Sequence, residues 1–174
     1  SLGPVNRRFV VAAALAATLA MIAAPAPAAP VTVVALGDSL TAGTGLDLPA
    51  TAFPARLEAA LRDAGFDATV HNAGVAGDTS AGGLARLDWS IVDGTDLVLL
   101  ELGANDALRG LDPAVTYENL NAIVADLASR GIAVVLAGML APPNLGSEYG
   151  DAFRNAFVRV AEAHDVAFYP FFLD

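Results

Sequence analysis

Val33-Val34-Ala35-Leu36-Gly37-Asp38-Ser39-Leu40-Thr41-Ala42-Gly43 reads as a short apolar strand that stops in a turn of small residues and presents one serine. In α/β sheets, ligands bind where the chain leaves the carboxyl ends of strands. Glycine at such a place lets the backbone bend sharply and lets a substrate come close. A serine there acts as a nucleophile only where another group takes its proton and donors meet the developing oxyanion. Ser39 is therefore a candidate nucleophile whose partners the remaining sequence must supply; capping of the following helix is the plainer use of a serine here.

Working outward, strand and helix patterns alternate. Val31–Leu36, Ala68–Asn72, Leu97–Leu102, Ile132–Gly138 and Val166–Pro170 are short apolar runs and predict buried strands. Phe53–Leu61 repeats apolar residues at helical spacing and gives way to Gly65. Pro113–Arg130 does the same, with proline suited to a first turn and Gly131 to the stop. Tyr149–His164 predicts another helix. Strands that alternate with helices imply a parallel sheet covered on both faces.

Three loops then fall at the carboxyl ends of successive strands: Gly37-Asp38-Ser39-Leu40, the run from Asn72 to Ser80, and Gly103-Ala104-Asn105-Asp106. In a doubly wound sheet they converge on one crevice. A serine, a glycine-rich backbone turn and an asparagine amide are the parts that acyl transfer needs: a nucleophile, a backbone N–H donor and a side-chain N–H donor. Gly77 and Asn105 are the candidate donors. Their plainer readings are a turn glycine and a loop amide bonded to its own backbone. Asp38, Asp78 and Asp106 read as turn and cap residues. Glu101, inside an apolar strand, reads as an acceptor for neighbouring loop N–H groups.

Composition excludes several other chemistries. The chain has 174 residues and a formal charge of −10, and all nine basic residues are arginine. An acidic chain without basic clusters argues against nucleic acid and anionic membrane surfaces as partners. The lack of cysteine removes disulfides, thiol chemistry, cysteine–zinc sites and a lipoprotein anchor. No metal is implied, because no histidine pair has ligand spacing. At the N-terminus, Asn6-Arg7-Arg8 precedes the apolar run Phe9–Ala24, and Ala26-Pro27-Ala28 has the small-x-small form of a cleavage site. Residues 1–28 thus read as a signal peptide for a periplasmic or secreted domain, 31–174; an uncleaved anchor is the alternative.

The motifs together resemble the SGNH (GDSL) hydrolases, in particular the periplasmic arylesterase, thioesterase and lysophospholipase branch. The likeness runs through Gly-Asp-Ser-Leu-Thr-Ala-Gly at 37–43, Ala-Gly-Asp-Thr-Ser at 76–80, Gly-Leu-Ala-Arg-Leu at 83–87, Leu-Glu-Leu-Gly-Ala-Asn-Asp-Ala-Leu-Arg-Gly at 100–110 and Tyr-Pro-Phe-Phe-Leu at 169–173. It implies a flavodoxin-like three-layer α/β/α sandwich with a five-stranded parallel sheet in order 2-1-3-4-5. It also implies a serine esterase acting on small carboxylic esters or thioesters (aryl esters, short to medium acyl esters, lysophospholipids) without a cofactor. Ser39 would be the nucleophile. The N–H groups of Ser39 and Gly77 and the Asn105 amide would form the oxyanion hole. Apolar loops at 46–49 and 139–145 make Leu46, Leu48, Pro142 and Asn144 candidate substrate contacts, with packing against the domain as the plainer reading, and Arg109 reads as the partner of a neighbouring acid rather than of an acidic head group.

One part of the family pattern is missing. The resemblance implies an Asp-x-x-His block that supplies the general base, and the sequence has none. Its two histidines are badly placed: His71 lies inside the second strand, and His164 closes a helix at the opposite end of the sheet. The pattern puts the missing block and a final helix beyond Asp174, so a truncated, nearly inactive chain is the expectation. A catalytically dead binding domain is the alternative. A dinucleotide site is disfavoured, since Gly43-Thr44-Gly45-Leu46-Asp47-Leu48 lacks the third glycine and does not open a helix directly.

Overall fold

A computed structural model describes residues 29–173, so the signal-peptide reading of 1–28 lies outside the described residues. Five strands follow the apolar runs: β1 (Val31–Gly37), β2 (Ala68–Gly74), β3 (Leu97–Glu101), β4 (Ala133–Ala137) and β5 (Ala167–Tyr169). All pair in parallel in the order β2-β1-β3-β4-β5, as the motifs implied. The helices are α1 (Ser39–Ala42), α2 (Phe53–Asp63), α3 (Ser80–Ala85), α4 (Leu87–Ser90), α5 (Ala104–Leu108), α6 (Pro113–Ser129) and α7 (Ser147–His164).

The core lies between one face of the sheet and the long helices. Val34, Leu36, Val98, Leu100 and Leu136 are fully buried against Leu120, Ile123, Val124 and Leu127 of α6 and Phe153, Phe157 and Val160 of α7. Phe153 and Phe157 meet edge to face, their ring centroids 5.2 Å apart. Each such side chain, fully removed from water, stabilises the fold by roughly 1.5–3 kcal/mol before the entropy of ordering it is subtracted.

The second face is covered less deeply among the described residues. There α2 packs beside β2. Leu97, Leu99 and Val135 are only half-buried, and Ala133 and Ala167 are exposed. Phe53, Leu57, Leu99, Val135, Ala137, Tyr169 and Phe172 line a shallow apolar groove of about 270 Å³ on this side. Alternation along β3 and β4 therefore separates a deep face from a shallow one among the described residues.

β2 also runs two residues further than its composition suggested. Asn72-Ala73-Gly74 looks like loop, yet Ala73 pairs with Leu36 and Gly74 with Gly37. Pairing to a central strand outweighs the poor strand propensity of these residues. The result brings the end of β2 level with the end of β1, directly beside the Ser39 turn.

Candidate active site

Gly37 is the last residue of β1, and the chain turns at once into α1. A side chain at Gly37 has no room: its Cβ would fall 2.0 Å from Thr41 Oγ1 and 2.6 Å from Glu101 Oε2. Asp38, not Ser39, caps the helix, its Oδ1 accepting the Leu40 N–H at 3.0 Å. The capping alternative for Ser39 is thus taken by its neighbour. The Ser39 hydroxyl makes no hydrogen bond among the described residues, and it faces a cleft of about 280 Å³.

Asn105 stands in the same cleft, on α5. Its amide donates to Asp38 Oδ2 at 3.0 Å and to the Asp78 carbonyl at 2.9 Å, so it ties the first and second loops to the third. Gly77 occupies the second loop with φ of +81°, a conformation that side chains disfavour. Its carbonyl accepts from Arg109 at 2.8 Å. The N–H groups of Gly77 and Ser39 have no acceptor among the described residues. Arg109 therefore holds a backbone carbonyl instead of pairing with an acid, because the Gly77 turn brings that carbonyl within its reach.

Carboxylates lock the three loops together. Arg86 bonds Asp78 Oδ2 at 2.6 Å, the Gly37 carbonyl at 2.9 Å and Ser90 Oγ at 2.9 Å. Asp106, fully buried, accepts from Ser80 N–H at 2.8 Å, Ser80 Oγ at 2.5 Å and Thr116 Oγ1 at 3.2 Å. Burial pushes the Asp38 carboxyl above its ordinary range, and the Asp78 and Asp106 charges push the same way; the Leu40 N–H and Asn105 amide oppose them. Glu101, at the end of β3, is pushed up to about 8 by burial and by the Asp38 charge, against the opposing Thr41 and Asp38 hydrogen bonds.

The rest of the cleft is apolar: Leu40, Leu108, Met139, Leu140, Pro142, Phe171 and Leu173 line it. Of the four candidate substrate contacts, Pro142 is on this wall, whereas Leu46, Leu48 and Asn144 are not among its lining residues. The Leu46 N–H closes a turn onto the Gly43 carbonyl at 3.1 Å, which folds that loop back towards Ala52 and leaves Leu46 and Leu48 exposed. Asn144 is exposed in a 3-10 turn, Pro143–Leu145. Leu108, Phe171 and Leu173 join this wall although they lie outside the apolar loops at 46–49 and 139–145. Leu108 follows Asn105 by one helical turn, and that spacing was the available signal.

Neither histidine reaches this cleft. His71 pairs in register with Val34, three residues before the strand's end at Gly74; at about 3.3 Å per residue that is roughly 10 Å below the turn. His164 Nε2 lies 2.8 Å from Asn121 Oδ1 at the C-terminus of α7. Among the described residues, the arrangement can offer a hydroxyl, backbone N–H donors and an amide to a carbonyl carbon, but no imidazole.

Residues 35–174 match the GDSL-like Lipase/Acylhydrolase family. The chain is 40% identical over 161 residues to esterase TesA of Pseudomonas aeruginosa, which covers 92% of this chain and 80% of that protein. It is 42% identical over 140 residues to an arylesterase of Vibrio mimicus, covering 80% of this chain and 70% of the other. The crystal structure of AlinE4, an SGNH-hydrolase family esterase, superposes with a TM-score of 0.79 at 46% identity, over 83% of this chain and 77% of that one. With the sheet order, the serine turn and these likenesses in agreement, the chain belongs to the GDSL-like lipase/acylhydrolase family.

Proposed function

We propose that this protein hydrolyses carboxylic esters or thioesters through an acyl-enzyme on Ser39. One observation carries the reading: an unbonded serine hydroxyl at the end of β1 shares an apolar cleft with the Asn105 amide. Attack of Ser39 Oγ on the substrate carbonyl carbon puts negative charge on the carbonyl oxygen. The Ser39 and Gly77 N–H groups, which lack acceptors among the described residues, are the donors for that charge. Asn105 keeps its two amide protons on Asp38 and Asp78, so an oxyanion has to share one of them. The family resemblance implies that an aspartate-held histidine takes the Ser39 proton, and neither described histidine is placed to do so.

The apolar wall formed by Leu108, Met139, Leu140, Pro142 and Phe171 suits an acyl chain or an aryl leaving group. A volume of about 280 Å³ falls just below the roughly 300–1,000 Å³ range of ligand clefts. It favours short and medium acyl esters. We also place the enzyme outside the cytoplasm, on the support of the charged flank at 6–8, the apolar run at 9–24 and the small-residue site at 26–28.

The test is hydrolysis of a short p-nitrophenyl ester, with imidazole supplied as the proton acceptor. Ser39-dependent release of nitrophenolate above the imidazole background is expected, and Ser39→Ala abolishes it. Equal rates for the two proteins remove Ser39 from the mechanism.

A further inference from the structure

Beneath the serine turn lies a carboxyl that the acyl-transfer scheme leaves without a role. Glu101 pairs with Gly37 in the sheet register and is fully buried. Its Oε2 accepts from Thr41 Oγ1 at 2.7 Å and from the Asp38 N–H at 3.4 Å. Its Oε1 is buried with no hydrogen-bond partner among the described residues. Thr41, also fully buried, lies two residues after Ser39 in α1, and Asp38 lies one residue before it. The carboxyl therefore grips the serine turn on both sides of the nucleophile.

An apolar residue would fill this position at the end of an apolar strand with no desolvation cost. It would leave the Thr41 hydroxyl and the Asp38 N–H buried without an acceptor, and such groups are costly to strand. A charged carboxylate would satisfy those two donors but would bury an unbalanced charge next to Asp38. The charged groups facing this pocket are Asp38 from the turn after β1, with Asp78 from the second loop and Asp106 from α5 acting on Asp38 in turn. Arg86 is engaged by Asp78 and the Gly37 carbonyl, so it does not balance Glu101.

We propose that Glu101 is a positioning residue for Ser39: its neutral acid form fixes α1 through Thr41 and Asp38, and ionisation, although it makes Oε2 the stronger acceptor, sets a second buried charge against Asp38 that drives the carboxyl and the turn apart. The proposal rests on Ser39 being the nucleophile. Burial beside Asp38 keeps the Glu101 proton up to about pH 8, so the neutral form prevails at neutral pH and is lost under mildly alkaline conditions.

The experiment measures imidazole-assisted hydrolysis of a p-nitrophenyl ester by the whole chain, by Glu101→Gln, by Thr41→Val and by Ser39→Ala. The range is about pH 6.5 to about pH 9, over which a group titrating near 8 goes from mostly neutral to about nine-tenths ionised. Glutamine keeps a carbonyl acceptor and cannot ionise. The ratio of the Glu101→Gln rate to the wild-type rate is therefore expected to rise about tenfold across that range, in kcat and not in KM. Taking the ratio cancels the titration of imidazole itself. Thr41→Val keeps the acid but removes its main donor, and should lower kcat at the acid end with KM unchanged. It also carries the test if Glu101→Gln fails to fold, as judged by near-UV circular dichroism.

A flat ratio, with Ser39→Ala inactive, overturns the proposal and leaves the Ser39 reading standing. An unchanged kcat in Thr41→Val overturns it as well. Hydrolysis that survives Ser39→Ala, or no Ser39-dependent hydrolysis in the wild type, overturns the reading beneath it.

Discussion

Replacing Glu101 by glutamine should change how the stability of this protein depends on pH. Burial and the Asp38 charge raise the Glu101 carboxyl from 4.5 to about 8 in the folded chain. The folded state thus holds a proton that the unfolded state has released. At roughly 1.4 kcal/mol per pH unit, a shift from 4.5 to about 8 is linked to about 5 kcal/mol of stability. The sign follows from proton counting. The contribution is whole below about pH 4.5, falls as pH rises from there to about 8, and is gone above it. Asp38 is raised too, so its effect adds in the same direction.

Glutamine has no proton to lose. Its amide nitrogen in place of one carboxyl oxygen costs about 1–2 kcal/mol where no partner is available. The variant should therefore be slightly less stable than wild type near pH 5 and more stable near pH 9, by roughly 3 kcal/mol after the amide cost is subtracted. Urea unfolding at closely spaced pH values, with the m-value checked for constancy, gives both curves. The other carboxylates of this acidic chain contribute to both proteins, so the difference isolates Glu101 and its coupling to Asp38. Parallel curves that never cross between about pH 5 and about pH 9 would refute the reasoning.

Three further outcomes follow from the site. Asp106→Ala strands the Ser80 N–H, the Ser80 hydroxyl and the Thr116 hydroxyl in the core; a loss of about 3–5 kcal/mol is expected from urea unfolding, and a loss under about 1 contradicts the bonding described. Gly37→Ala drives a methyl group to within 2.0 Å of Thr41 Oγ1 and 2.6 Å of the Glu101 carbonyl. Thermal unfolding should register about 1–3 kcal/mol of destabilisation together with loss of Ser39-dependent hydrolysis, and an unchanged melting temperature would count against the packing. Arg109→Ala frees the Gly77 carbonyl while removing only an exposed contact, so hydrolysis should fall with stability held within about 0.5 kcal/mol; equal activity would show that the Gly77 turn holds itself.

What the sequence revealed depended on how locally each feature is encoded. β1 and its turn were legible because an apolar run, a glycine and a serine are adjacent. The long helices α6 and α7 were legible from repeated apolar spacing. The short helices α3, α4 and α5 were not, because four to six residues carry too little periodicity. The extension of β2 was hidden because Asn72 and Gly74 favour turns, while their pairing to β1 depends on a partner nearly forty positions away. Leu46 and Leu48 show the same limit at the site. Composition marked their loop as apolar, but the turn onto Gly43 decides which way it faces. Asp106 was legible as a capping acid, whereas its role as a hub is set by Ser80 and Thr116, which only folding brings to it. Glu101 announced itself as a lone acid in an apolar strand, and its grip on Thr41 required the β1–β3 register to be known.

The central claim is that Ser39 forms the covalent intermediate. The most direct measurement is peptide mass spectrometry after incubation with an alkyl fluorophosphonate and imidazole. A single phosphonyl adduct on the peptide that contains Ser39, absent from Ser39→Ala, is the expected result. An adduct on another residue, equal labelling of the two proteins, or no labelling at all would contradict it.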